Sequence, residues 1–485
     1  MVGQHVPPDK VGETTDVLWD MRKLSVKLAQ TFDQLSEDYD TSLETWLEKT
    51  TYTTKDKDKF RREVDEQDFI IKRDRACKCF IKAETYTEYK HARPIKSRTD
   101  RFKAKMGPIF QGINEVLFSR TEYFIKKVPV YQRPQIIKEL FGNSDNISCT
   151  DFSSFEAHFI DCLMFAIELP FYRWVTYKLP TADWFWEELN TLLLANICKF
   201  VDFILECMSR ASGEMNTSSG NGYVNLVLFI YVCCVKKARE AKAQFEGDDS
   251  VNSAKPDNST PTSQDYTDLG WVCKLQKVSK VEEASFCGMV SDPDDLINVC
   301  DIKAYIADFG WTRQQYLGAN NTTIMALIRA KGYSAIYQYP GCPVIDAMGH
   351  YAIRITNHQH VQNRMMRMYR SGSLADSRYK NDKFTHIFER MKLKIPERKQ
   401  SPNNTRELVE RMFGIQIQQQ IDLEKYFDQA TEIKPMDFDF DVPLQWEYNT
   451  EMFVSHEYIH DVSFHFESLI RDLKTVLDEH QMPSL

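Results

Sequence analysis

Apolar residues recur at three- to four-residue spacing near the N-terminus: Leu18, Met21, Leu24, Leu28 and Phe32, then Leu43, Trp46 and Leu47. This spacing predicts packed helices across residues 1–50. The strip Lys55-Asp56-Lys57-Asp58-Lys59 breaks the pattern and reads as a solvated loop. Alternation returns around Phe80-Ile81-Lys82-Ala83-Glu84 and predicts a strand or finger, whereas 106–145 mix helix and loop without a legible site. A short apolar strand from Ile147 ends in Asp151. Residues 160–205 carry Phe165, Phe171, Tyr172, Trp174, Trp184 and Trp186, then an apolar run from Leu192 to Leu205, and read as packed helices.

A polar, glycine-rich stretch, Ser212 to Gly222, leads into an apolar helix expected from Tyr223 to Ala241. Next comes Phe245-Glu246-Gly247-Asp248-Asp249-Ser250, a tight turn after a short, polar strand, Ala243 to Phe245. Residues 251–268, rich in Ser, Thr, Asn, Asp and Pro, read as a loop. Leu269 to Val290 alternates apolar and polar residues, and Ser285-Phe286-Cys287-Gly288-Met289 has the look of a tight hairpin. From about residue 291 onward the pattern is mostly helical, for example Arg406 to Phe413 and Tyr458 to Leu477. The class is α+β, a mixed core with a helical subdomain appended.

Composition narrows this only a little. An apolar share of 42% and a charged share of 27% over 485 residues are those of an ordinary globular protein. A net charge of −9 argues against a simple polyanion binder, but not against an enzyme with an internal basic channel. The 12 cysteines make no Cys-x-x-Cys knuckle and are expected to be reduced thiols of a cytosolic protein. The first thirty residues hold no apolar run, so no signal peptide is expected. The most apolar stretch, Val224 to Val235, falls short of the roughly twenty residues of a membrane span.

Charge is more informative locally. Residues 72–105 hold 12 Lys/Arg against 4 acidic residues, with Lys90, Arg93, Arg98 and Arg101 spaced through them. Such a stripe can face a phosphate chain, or be a solvated hairpin. Adjacent Asp248 and Asp249 after a glycine can hold hard cations against a phosphate-bearing substrate. Asp151 stands at a strand end, where active-site acids are often held, although the cap of a following helix would suit it too. In Ser212-Gly213-Glu214-Met215-Asn216-Thr217 and on to Asn221, glycines permit backbone approach to a ligand, and hydroxyls with an amide can read a sugar. No Walker or dinucleotide spacing is present.

Taken in order from about residue 75 to 290, these stretches resemble the catalytic core of an RNA-dependent RNA polymerase of a positive-strand RNA virus. The branch they look most like is the tombusvirus-like and carmovirus-like one. Asp151 matches the first metal-binding aspartate, and Glu156, one methylene longer than usual, falls where an aspartate senses the ribose 2′-OH. His158 matches a histidine of that branch. Ser212, Gly213, Thr217 and Asn221 match Ser-Gly-x-x-x-Thr-x-x-x-Asn at full spacing, and Asp248 and Asp249 match the signature pair. Lys82, Glu84, Lys90, Arg93 and Ile95 match the basic finger over the triphosphate, and Phe286-Cys287 the hairpin supporting the growing strand.

The resemblance implies a right hand. Fingers would span 1–145, with the basic loop 72–105, and an insertion 163–205; the palm, with an antiparallel sheet, 146–162 and 206–290; and a helical thumb 291–485. It implies two-metal nucleotidyl transfer from NTPs, with Asp151, Asp248 and, as auxiliary, Asp249 holding Mg²⁺, for which Mn²⁺ can substitute. Lys82 and Arg93 would hold the triphosphate. Glu156 and Asn221, with Ser212 or Thr217, would test the 2′-OH. Lys277, chosen over Lys274 and Lys280, would protonate pyrophosphate. Gly213, Lys90, Phe286 and Cys287 would meet template or primer, helped by Arg364, Arg367 and Arg370; Trp446 and Tyr448 could stack the first nucleotide. Partners would be RNA template and product, NTPs and other viral replication proteins, in membrane-associated complexes of the host cytoplasm reached only indirectly.

Three rivals are legible. His456-Glu457-Tyr458-Ile459-His460 satisfies a zinc-protease pattern, but Ser463 and Phe466 stand where its longer form needs Gly and His, and Glu479 is a distant third ligand. A reverse transcriptase would carry a bulky residue against ribose, which is missing. A non-catalytic RNA-binding replication factor would have lost its carboxylates, and all three are present.

Overall fold

The computed structural model describes residues 11–455 except 51, 65–71, 83–84, 87–92, 194–195, 200–203, 208, 310–311, 313–315, 372–373, 375–394, 434–435, 437, 443–445 and 449–452. Its strands in chain order are β1 (Ala76–Ile81), β2 (Thr85–Tyr86), β3 (Pro94–Arg98), β4 (Ile147–Phe152), β5 (Asn196–Lys199) and β6 (Ile204–Cys207). There follow β7 (Glu240–Glu246), β8 (Asp249–Lys255), β9 (Cys273–Val278), β10 (Trp446–Tyr448) and β11 (Phe453–Ser455). Among the described residues they form three sheets: β7-β8-β4-β9, β3-β1-β5-β6 and β11-β10-β2. All pairs in the first are antiparallel.

The pleat of that first sheet sorts its side chains between two cores. Phe152 and Phe245 point one way, into a large cluster with Phe110, Phe124, Phe171 and Tyr223. Cys149, Val251 and Val278 point the other way, into a smaller cluster with Ile125, Phe141 and Phe286. The helix Thr217–Val235 runs through the larger core. By length and composition it could cross a membrane, but 72% of its apolar window is buried inside the protein.

Several sequence expectations are corrected here. The charged strip at 55–59 lies in the helix Thr54–Val64, because Thr53 and Asp56 cap each other and Phe60 anchors the helix on Trp46 and Tyr52. The run Leu192 to Leu205 contains β5 and β6 rather than continuous helix, since pairing of β5 with β1 buries Cys198 in the second sheet. The helix expected over 223–241 instead spans Thr217–Val235, and the chain turns at Lys237, with φ 56°, into a strand of seven residues. That strand, β7, is polar because it is an edge: Glu240, Ala241 and Lys242 face solvent.

Residues 251–255 are strand, not loop. Polar side chains of β8 find partners inside the sheet: the Thr150 and Ser250 hydroxyls meet at 2.7 Å, and Asn252 Nδ2 donates to Ser250 Oγ at 3.3 Å, although Asn252 Oδ1 is buried without a partner among the described residues. A short helix, Ser263–Asp268, follows with a capping box on Thr262.

After the sheet, helices Ile302–Phe309, Asn321–Gln338, Ile345–Ile355, Gln359–Arg370, Asn403–Phe413 and Ile417–Gln429 pack around two further cores. The chain then returns: β10 pairs with β2, Trp446 opposite Tyr86, so the C-terminal region rejoins the basic hairpin. The expected helix Tyr458 to Leu477, and the His456, Glu457, His460 and Glu479 pattern, lie outside the described residues.

Trp271 is the floor of the first sheet's end, with ring centroids 4.5 Å from Phe155, 5.7 Å from Phe159 and 4.7 Å from His158. Trp271→Ala is expected to lower unfolding free energy by about 3–5 kcal/mol in urea titration, and Trp271→Phe by clearly less. Equal losses for both would show that ring packing is not what Trp271 contributes.

Candidate active site

Asp151 is the exposed member of an otherwise buried strand, β4. Thr150 pairs with Ser250, so Asp249, at the start of β8, faces Asp151 one step further along. Glu246 pairs with Asp249, which leaves Gly247-Asp248 as a two-residue turn. Gly247 sits at φ 67°, a left-handed value that glycine adopts without strain. Three carboxylates are thereby gathered at one end of the sheet.

Their surroundings make them reluctant acids. Burial pushes Asp248 up from 3.8 to about 6, with Glu156 and Asp151 adding repulsion and Arg93 opposing it. Burial pushes Asp249 up to about 7, with help from Asp248, Asp151 and Glu246. Among the described residues no three His, Cys, Asp or Glu side chains form a ready-made metal cage. Half-buried carboxylates repelling one another in an open cleft fit a hard divalent ion that completes its octahedron with substrate oxygens and water, as Mg²⁺ does.

The turn is held from behind by a residue that sequence reasoning missed. The fully buried Asn225 donates through Nδ2 to Gly247 O at 3.2 Å and to Asp248 O at 2.9 Å. The available signal was a lone amide inside the run Tyr223 to Val235. Glu246 is held by Arg133 at 2.8 Å and accepts from Cys287 Sγ at 3.6 Å. Cys287 lies in a hairpin whose ends, Phe286 and Met289, exchange bonds of 2.9 and 3.1 Å. With φ 53° at Cys287 and 71° at Gly288, this is a type I′ turn. Asp151, Asp249, Lys274, Gln276, Phe286 and Cys287 line a cavity of about 450 Å³.

Lys277 is placed away from this cavity. Asp151 pairs with Lys274 and Ser148 with Lys277, so the pleat sends Lys274 to the face of Asp151 and Lys277 to the opposite face. Of the two, Lys274 and not the expected Lys277 lies beside Asp151.

Glu156 follows a left-handed Ser154, φ 53°, in the short turn Phe155–His158. Its Oε1 accepts from Asn221 Nδ2 at 3.2 Å, which brings two expected sugar-reading residues together. Asn221 Oδ1 is buried without a partner among the described residues. His158 stacks on Trp271.

Ser212, Gly213 and Thr217 serve the loop itself. Ser212 Oγ donates to Pro94 O at 3.0 Å, Gly213 N to Lys96 O at 3.0 Å, and Thr217 Oγ1 to Ala211 O at 3.2 Å. Ser212 and Gly213 thus dock on β3, while the Thr217 hydroxyl braces the loop internally. Arg98 and Glu214, both buried, reinforce the joint at 2.6 Å.

Lys82 and Arg93 flank the base of the basic hairpin, Lys82 N donating to Arg93 O at 2.9 Å, and the Arg93 charge reaches Asp248. Lys90 and Glu84 lie outside the described residues, as do the side chains of Arg370, Trp446 and Tyr448. Arg364 bonds Thr323 Oγ1 at 3.1 Å, and Arg367 donates to Asn363 O at 3.4 Å within its own helix.

A family model described as viral RNA dependent RNA polymerase matches residues 206–434. Among solved structures, the fold is similar to the RNA-dependent RNA polymerase of a human picorbirnavirus, with TM-score 0.54, 11% identity, and coverage of 80% of this chain and 84% of that one. An insertion loop deletion mutant of a human picorbirnavirus polymerase gives TM-score 0.56 at 12% identity, covering 80% of this chain and 85% of that one. No curated protein matches the sequence significantly. The fold is the right-hand polymerase fold, α+β with an antiparallel sheet.

Two outcomes test this geometry. Asp248 and Asp249 hold protons more tightly folded than unfolded, so they add stability at low pH that fades as pH rises from about 4 and is gone above about 7. Metal-free protein should therefore melt lower at pH 8 than at pH 6, the gap shrinking in Asp248→Asn/Asp249→Asn and on adding Mg²⁺. An unchanged gap in the double variant would place the titration elsewhere. Asn225→Asp, which turns an acceptor toward two carbonyls, should cost about 1–3 kcal/mol in denaturant titration.

Proposed function

We propose that the chain, whose family signature and fold are those of an RNA-directed RNA polymerase, copies an RNA template by joining nucleoside triphosphates to an RNA 3′-hydroxyl with two divalent ions. The observation that carries this reading is the convergence of Asp151, Asp248 and Asp249 at one sheet end, facing the base of a basic hairpin. Asp151 and Asp248 hold the ions, Asp249 assists, and Mg²⁺ is the expected species. When bound, the ions lower the pKa of the attacking hydroxyl and neutralise charge on the phosphates.

The chain's own residues do the rest. Arg93 and Lys82 hold the triphosphate, the guanidinium offering a fork to two phosphate oxygens. Glu156 fixes the amide of Asn221, and the Oδ1 of Asn221, which has no partner among the described residues, accepts from the ribose 2′-OH. The Phe286–Met289 hairpin forms the wall of the cavity beside Asp249 and Asp151 and seats the 3′-terminal nucleotide. Lys274, on the face of Asp151, delivers a proton to the departing pyrophosphate.

The β7-β8-β4-β9 sheet is the palm, the β3-β1-β5-β6 sheet belongs to the fingers, and the helices from Ile302 onward form the thumb. The loop Ser212-Gly213 through Asn221, at its full spacing, supports a place near the tombusvirus-like branch. The setting we propose is a membrane-associated viral replication complex in the host cytoplasm, with other viral proteins as the link to the membrane.

The test is labelled UMP incorporation on poly(A) with Mg²⁺ or Mn²⁺, with dTTP in a parallel reaction. Wild type should incorporate UMP and not dTMP, and Asp248→Ala should lose about a hundredfold or more. Lys274→Ala should slow incorporation about a hundredfold, with Lys277→Ala staying within about twofold. Silence of wild type on several primed and unprimed templates, with RNA binding retained, would instead favour a non-catalytic replication factor.

A further inference from the structure

Behind the loop that precedes Asn221 lies a buried polar cluster that the reaction scheme above does not use. Arg210, 4% exposed, pairs with Glu168, 2% exposed. Arg210 Nη1 also donates to Asn216 O at 3.1 Å. Tyr172 OH donates to Glu168 Oε2 at 2.6 Å, and Asn216 Nδ2 to Tyr172 OH at 3.0 Å. Glu168 ends a π-helical turn, Met164–Glu168, an irregularity that carries a cost and tends to occur at functional places.

The cluster packs against the segments that carry both halves of the sugar-reading pair. On one side the Arg210 guanidinium lies 4.0 Å over the ring of Phe159, the residue just after the turn that carries Glu156. On the other it packs against Gly220, the neighbour of Asn221. A Cβ at Gly220 would lie 2.1 Å from Arg210 Nη1 and 2.7 Å from Glu168 Oε2, so any larger residue there would have to displace the guanidinium or the carboxylate. Arg210 is thus a wedge of fixed thickness between the Glu156 turn and the Asn221 helix. A charge so deeply buried is costly unless paired, and Glu168 supplies the pair.

We infer that Arg210, held by Glu168, is a positioning residue that sets the Glu156–Asn221 gap and with it the enzyme's choice of ribose over deoxyribose. This rests on the reading of Asn221 as the acceptor for the 2′-hydroxyl. Arg210 touches no substrate in this scheme; it acts through the spacing of two groups that do. A shift of a few tenths of an ångström between them leaves the carboxylates at the sheet end in place but misaligns the acceptor for the sugar.

The decisive variant is Arg210→Met/Glu168→Gln, which removes both charges while keeping volume and is expected to fold, because neutral replacement of a buried pair is tolerated far better than breaking it. Arg210→Lys, which keeps charge but not the fork, serves as partial rescue. With UTP and 2′-deoxyuridine triphosphate as the probes, the double variant should lose about tenfold or more of its selectivity for UTP. The loss should appear mainly as a higher KM for UTP, with kcat within about threefold, and Arg210→Lys should fall between. Backbone hydrogen exchange over 211–222 should quicken in the double variant.

A folded double variant with parental selectivity overturns the inference, whatever its total activity. If the parent itself makes no RNA, the polymerase reading fails separately. Exchange over 211–222 then still decides the positioning role, which is sunk by rates equal to the parent's.

Discussion

The constraint on which the rest depends is the mutual repulsion of Asp151, Asp248 and Asp249. Burial and like charge raise Asp248 to about 6 and Asp249 to about 7, so the fold is pushed to separate them whenever they ionise together. It resists because each is fixed by backbone rather than by side-chain reach. Asp151 and Asp249 sit on adjacent antiparallel strands, and Asp248 is confined to a two-residue turn gripped by Asn225. The Arg133–Glu246 pair continues that grip to the hairpin at Cys287. Such strain is tolerable where a cation is expected to arrive with the substrate and remove it.

A second dependence runs through the loop from Ser209 to Thr217, which joins two bodies. On one side Ser212, Gly213 and Glu214 lock onto Pro94, Lys96 and Arg98 of β3; on the other Arg210 and Asn216 lock onto Glu168 and Tyr172. Ser209, Ser212 and Gly213 bind the loop to β3 at the base of the basic hairpin, while Thr217 Oγ1 braces the loop on Ala211 O. The same spacing that reads as a ligand loop in sequence is therefore also a joint. That double duty explains why so many of its residues are specified when few of them face the cleft.

The paired aspartates, the strand ending at Asp151 and the hairpin at Phe286 were legible because each is local: turn chemistry and a short apolar run suffice to place them. What was illegible is what tertiary pairing decides. The strands β5 and β6 hid in an apolar run because β5 is docked by β1, more than a hundred residues away, and β6 pairs in turn with β5. β8 hid because its buried Ser and Asn side chains look like loop residues in composition, and only the sheet supplies partners such as Thr150 for Ser250. Asn225 and Arg210 look unremarkable in sequence, and their roles exist only once the helix Thr217–Val235 crosses the turn. Lys274 and Lys277 differ by parity alone, and parity becomes meaningful only when Asp151 supplies the register.

Net charge illustrates the same point at larger scale. A value of −9 says little about nucleic acid, because the chain segregates its charges: 12 Lys/Arg against 4 acidic residues across 72–105, of which Arg98 and Arg101 are spent in buried ion pairs with Glu214 and Asp74, and repelling carboxylates at the sheet end. The two fields meet at Asp248, where the Arg93 charge lowers the pKa and the Glu156 charge raises it. A ligand complementary to both must carry negative charge toward the hairpin and positive charge toward the aspartates. A free cation satisfies only the second, and a free polyanion only the first. A triphosphate with its divalent ions would satisfy both at once, which is the electrostatic support for the proposed reaction.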